Sequence, residues 1–291
     1  MSLSSRDLLY RARLGFPWVI ALLVASCLLV TAPLFVEPRR FFLTIGVGFC
    51  DEDGVVRWWH YLVANFVHGA GCRFPATWFH LAVNVVLFVF HGALVERVLG
   101  SARVALLTFS CLLVHMVLVY LIIDGRGHGA SGMTWSYVLF VIHWLVIHWK
   151  TARWRMFADW VTCTLALLSL FAIIGLVKHW HLWNLLLSVP FYLAWRKTFA
   201  ANLADISNAD HGRGNAIGVA AAAFVLAFNA YFVALAVGGQ IQPQVVESAF
   251  TASQMRPMVT QYKSAPMPGR SMVARMSPRE SGGTCRRWRW R

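Results

Sequence analysis

Charge is what this chain has least of. Of its 291 residues 13% are charged and 58% are hydrophobic, with a mean hydropathy of +0.59. Soluble domains carry about 25% charged and about 45–50% apolar residues, so an ordinary water-soluble fold is excluded. Acidic residues are scarcer still, 12 against 26 lysines and arginines, for a net charge of +14. In a soluble protein that excess would point to nucleic acid. Here the basic residues sit mostly in short loops and at the C-terminus, which reads as positive-inside anchoring with no nucleic-acid partner. The cysteines (Cys27, Cys50, Cys72, Cys111, Cys163 and Cys285) include no CxxC pair, so zinc ribbons and redox motifs are not supported. Cys50 and Cys72 share one long loop and can pair only if it faces an oxidising compartment. HExxH and GxxxxGK[ST] are missing, which argues against a zincin-type metalloprotease and a phosphate-binding loop. No internal repeat is visible, and nothing calls for a metal or cofactor.

Long apolar runs are what the chain does have. Seven are long enough to consider as spanning helices: roughly 16–36, 78–95, 103–123, 131–149, 157–177, 181–195 and 215–238. The sixth is short and contains Pro190. The expected fold is an all-α, polytopic transmembrane helical bundle of seven spans. The first run is about 20 residues long and reads as a retained span, not a cleavable signal. Residues 1–15 form a cytoplasmic N-terminus, 16–238 the membrane domain and 239–291 a basic tail without periodicity, expected to be disordered. The tail ends CRRWRWR, which suits either anionic lipid or solvent. Between Glu37 and Thr77 the composition is mixed, and Trp58, Trp59 and Tyr61 favour a position at the headgroups.

Loop charges set the orientation. Arg6, Arg11 and Arg13 precede the first span; Arg97 and Arg103 follow the second; Lys150, Arg153 and Arg155 the fourth; Arg196, Lys197 and Arg213 the sixth. That side is cytoplasmic by the positive-inside rule, with the N-terminus inside and the C-terminus outside. The opposite loops carry a cluster of acids, Glu37, Asp51, Glu52, Asp53 and Asp124, among the 12 in the chain.

This topology makes the second, fourth and sixth spans run the same way, opening on His80, Ser131 and His181. Asn84 lies one turn below His80, on the same helix face. Polar groups at membrane depth are costly unless they share a bundle interior or a wet cavity, so a common pocket is expected. A serine hydroxyl needs a base to take its proton, and His181 suits that role and the later protonation of a leaving amine. His179 is the alternative base. His80, the Asn84 amide and backbone N–H groups at the start of the fourth helix suit a developing oxyanion. Gly129 and Gly132 in Gly129-Ala130-Ser131-Gly132 permit a tight turn and close helix approach. His91, His115, His143 and His148 would suit a bis-histidine haem protein only if they formed facing pairs.

GASG opening a span, after HLAVN (His80 to Asn84) and HGALVERVLG with Glu96 and Gly100, resembles the rhomboid intramembrane serine proteases. The resemblance covers about residues 57–197, and the run at 215–238 resembles the seventh span of six-plus-one members. It implies Ser131 as nucleophile, His181 as base, and His80 with Asn84 completing the oxyanion site. It also implies transmembrane proteins as substrates, with the lipid bilayer as setting. The stretch from Trp58 to His68 resembles the family's membrane-embedded first loop, with an insertion around Gly71–Thr77. Glu96, about 24 Å along the helix from His80, is too far for catalysis and is expected to tie the cytoplasmic end. One departure stands out: Asn184 occupies the position where the family usually has glycine after the catalytic histidine, with Ser188 one turn on. Inactive relatives keep this architecture, so a silent protein that holds membrane clients is the alternative function.

Overall fold

Inside a bilayer every backbone N–H and C=O must find its partner within the chain, and a continuous apolar run does this as an α-helix. The computed structural model describes residues 15–37, 41, 58–68, 74–116, 129–155, 164, 167–168, 170, 179–204 and 213–241. Among these residues the regular structure is entirely helical. In order, the helices are α1 (Trp18–Thr31), α2 (Pro33–Val36), α3 (Trp58–Val63), α4 (Phe74–Leu87), α5 (Ala93–Leu99) and α6 (Ser101–Met116). They continue with α7 (Ser131–Trp135), α8 (Val138–Arg155), α9 (His179–Ala204) and α10 (Arg213–Val237). A 3₁₀ turn, Ala64–Phe66, ends α3, and a π turn, Phe88–Gly92, joins α4 to α5 as one rod.

Among the described residues, three stretches are long and apolar enough to cross a membrane: Trp18–Val36, Trp78–Leu99 and Asn215–Val237. Each carries a broad apolar surface, with one face turned inward. On α1 the inward face is Val19, Ile20, Leu23, Cys27 and Val30, a helical stripe, while Leu28 is exposed. On α10, Ala222, Val225, Val233 and Ala236 are buried, while Ile217, Phe224 and Tyr231 form an exposed stripe at seven-residue spacing. Such a greasy outer face is what lipid, not water, solvates.

The helix ends fix the directions. At one end the Val19 and Ile20 amides donate to the Glu96 carboxylate at 3.0 and 2.9 Å, and Ser101 Oγ donates to it at 2.6 Å. Glu96 thus caps the first turn of α1, satisfying donors that a helix start leaves open. Nearby, Asn202 Nδ2 donates to Val98 O at 2.8 Å and the Ala102 amide to Asn215 Oδ1 at 3.3 Å. A cavity of about 290 Å³ opens at this end, beside Pro17, Glu96, Arg97 and Asn215, remote from Ser131. At the other end Thr31, the last residue of α1, meets Phe66 and His68. The rods α4–α5, α7–α8 and α9 therefore run one way, and α1, α6 and α10 the other.

α10 packs on α1 and α6. Its docking depends on Gly218, where a Cβ would lie 2.5 Å from the Ser101 carbonyl oxygen. At the far end Phe232 stacks on Trp59 of α3, with centroids 4.4 Å apart and planes 16° from parallel.

Several sequence expectations need adjusting. The second run is longer than 78–95: its helix starts at Phe74, which puts His80 in the second turn. The fourth is interrupted at Ser136–Tyr137, where Ser136 Oγ donates to Met133 O at 2.5 Å in place of a regular ladder. The sixth is not short, because α9 is 26 residues long and passes through Pro190. Trp59 is 4% exposed and packs on Phe232. The fifth run falls almost wholly outside the described residues, as do Cys50, Cys72 and the tail beyond 241.

Candidate active site

Ser131 opens α7 and is half-buried. The turn before it is built on Gly129, whose φ of +101° lies in the left-handed region that favours glycine. Space demands glycine as well. A Cβ there would sit 2.7 Å from His80 Cε1 and 3.7 Å from His68 Cδ2. His80 and His68 thus flank Gly129, their rings 5.0 Å apart edge to face.

Two backbone amides tie this turn to the segment after α3. Gly129 N donates to Ala64 O at 3.0 Å, and Ala130 N donates to His68 Nε2 at 3.3 Å. The first helical bonds run from Met133 N and Thr134 N to Ala130 O, so the Ser131 and Gly132 amides stand ahead of the ladder. Asn84 is buried one turn below His80. Its Nδ2 donates to His80 O at 3.0 Å, and its Oδ1 accepts from Thr134 Oγ1 at 3.5 Å. Thr134 Oγ1 also reaches Ser131 O at 3.1 Å, which links the oxyanion candidate to the helix of the nucleophile candidate.

α9 approaches at Gly132. A Cβ on Gly132 would meet Asn184 Nδ2 at 3.2 Å and Oδ1 at 3.4 Å. Asn184 is 1% exposed, so the larger residue on α9 fills the space that glycine leaves on α7. Ser188 Oγ turns back to Leu185 O at 2.7 Å and does not cross to α7. His179 and His181 lie in the first turn of α9, while their side chains lie outside the described residues. The structure therefore gathers His80, Asn84, Gly129, Ser131 and Gly132 and brings the start of α9 alongside.

The other histidines divide. His91 is buried in the π turn, and the His143 ring packs on Tyr192 and Phe199 at 5.6 and 5.8 Å, apart from any other histidine among the described residues. The side chains of His115 and His148 lie outside those residues.

A family model for the Rhomboid domain matches residues 56–228, more than half the chain, from just before α3 into α10. The chain belongs to the rhomboid family. Rhomboids are membrane-embedded and are generally serine proteases, with inactive members, so this is an integral membrane protein of that class. No curated protein and no solved structure matches it.

Sequence reasoning missed Thr31, His68 and Thr134 as neighbours of the site. His68 did carry a signal, as a histidine between an aromatic helix and the next span, but its partner Ala130 lies 62 positions away.

Proposed function

We propose that this rhomboid is an intramembrane serine endopeptidase that hydrolyses peptide bonds in or near transmembrane segments of other membrane proteins. The observation that carries this reading is Ser131 at a helix start whose Gly129 turn lies against His80, with Asn84 a turn below His80. Ser131 Oγ attacks the scissile carbonyl while the imidazole of His181 takes its proton. His181 then gives that proton to the leaving amine, and water reverses the sequence to free Ser131. His80, the second N–H of the Asn84 amide and the Ser131 and Gly132 amides are assigned to the oxyanion. Gly129 and Gly132 let backbone and α9 come close. His179 is the rival base. The mechanism calls for no metal or cofactor.

The wider arrangement is seven spans within residues 16–238, with a core at 57–197, the extra span at 215–238 and a separate tail at 239–291. The loop charges put the N-terminus in the cytoplasm and the C-terminus outside, so the site faces outward. Substrate helices enter laterally from the bilayer and unwind near that face.

Labelling of the purified protein by a fluorophosphonate probe tests the assignment. Wild type is expected to label and to cleave a model transmembrane substrate in liposomes, and Ser131→Ala to do neither. His181→Ala should lose labelling and His179→Ala keep it; the reverse pattern moves the base to His179. The second reading, a client-binding rhomboid without catalysis, draws on Asn184 standing where glycine is usual. An unlabelled wild-type protein would select it.

A further inference from the structure

We propose that His68 is a positioning residue for the nucleophile, a neutral imidazole whose Nε2 fixes the peptide that leads into Ser131. This rests on Ser131 being the nucleophile.

The hydrogen bonds assign the ring's state. Ala130 N–H donates to Nε2 at 3.3 Å, so Nε2 carries a lone pair and not a proton. The ring proton is then on Nδ1, which faces Phe66 O at 3.0 Å, a suitable acceptor. Thr31 Oγ1 donates to the same carbonyl at 3.2 Å and accepts the His68 amide at 3.2 Å. His68 is completely buried and held on both its main chain and its ring. The order of contact runs from Thr31 at the end of α1, through His68, to Ala130 and so to Ser131.

A histidine that merely filled space would not need its tautomer fixed in this way. The bond from Ala130 is one of two consecutive amides tied to residues 64–68, the other being Gly129 N to Ala64 O at 3.0 Å. The His68 bond sets the plane of the Gly129–Ala130 peptide, and the Ala64 bond anchors the chain one residue earlier. Ser131 follows directly, so tilting that plane moves Oγ relative to the base and the oxyanion donors. Displacing a reacting group by about 1 Å can cost about 10²-fold in rate. Gly129 has no side chain to stop such a tilt.

Two substitutions separate the bonds. His68→Gln places an amide oxygen near the position of Nε2 and keeps an acceptor for Ala130. His68→Asn places its amide near Nδ1, keeping a donor for Phe66 O while losing the acceptor. Each gives up one hydrogen bond, so similar melting temperatures are expected. With a model transmembrane substrate, His68→Gln should retain most of the rate, whereas His68→Asn should lose about 10²-fold in kcat with KM little changed. Fluorophosphonate labelling should fall in parallel. If His68→Asn does not fold, Thr31→Val, which removes the hydroxyl holding the His68 main chain, should lower the same kcat. Equal kcat in wild type and in the folded variant that lacks the contact overturns the positioning role while the protease assignment stands. Wild type that neither cleaves nor labels overturns the protease assignment itself.

Discussion

Glu96 shows how one side chain holds a bundle end. Its carboxylate accepts the Val19 and Ile20 amides and the Ser101 hydroxyl, all buried. Glu96→Ala leaves those donors without an acceptor, each costing about 1–3 kcal/mol when dry. Glu96→Gln keeps one oxygen and should lose about half as much. Thermal unfolding in detergent should rank wild type above Gln and Gln above Ala; equal midpoints for Ala and wild type would contradict the cap. The sequence made a structural role for Glu96 legible through its distance from His80. It did not reveal that the partners are backbone amides of α1, because those amides carry no residue identity. The same limit hid His68, whose partner is also an amide. Ser131, His80 and Asn84 were legible because their spacing on one helix and at one helix start is local.

At the scale of helices, small residues decide where rods touch. Gly132 on α7 makes room for Asn184 on α9, so glycine on one helix accommodates a larger side chain on the other. Gly132→Ala should cost about 1–3 kcal/mol by overpacking. The same change should cost less in an Asn184→Ala background, and a double-mutant cycle measures the difference. Gly218 is less forgiving, since its Cβ would meet main-chain atoms of Ser101. Gly218→Ala should therefore reach the top of that about 1–3 kcal/mol range and weaken the docking of α10, read as faster proteolysis after that helix. Helix existence was legible from apolar runs alone. Boundaries were not: α9 runs on past Trp195 to Ala204 on a mixed, lysine- and arginine-containing stretch that hydropathy discounts. Nor does the break at Ser136–Tyr137 show in composition, because it depends on tertiary partners such as Thr108 Oγ1, 2.5 Å from the Tyr137 hydroxyl.

Across the whole molecule, α10 closes the bundle by bridging its two ends. Asn215 and Gly218 meet the start of α6, and Phe232 meets Trp59 beside the candidate site. Phe232 is half-buried, so Phe232→Ala should cost up to about 3 kcal/mol, seen as a lower melting temperature in detergent. An unchanged midpoint would mean that the stack adds nothing. The apolar runs made a membrane bundle readable, and the family match over 56–228 agrees with it. Beyond the His80 and Asn84 face, which faces pair was not readable, since the helix surfaces are largely apolar. The Glu96 cap also constrains the order in which the chain is made. The amide of Val19 waits for a carboxylate synthesised 77 residues later, and Ala102 for a side chain that follows by 113. As it leaves the ribosome, the first span is therefore a helix with an open start, and its register against the others is set only once the second has followed it into the membrane.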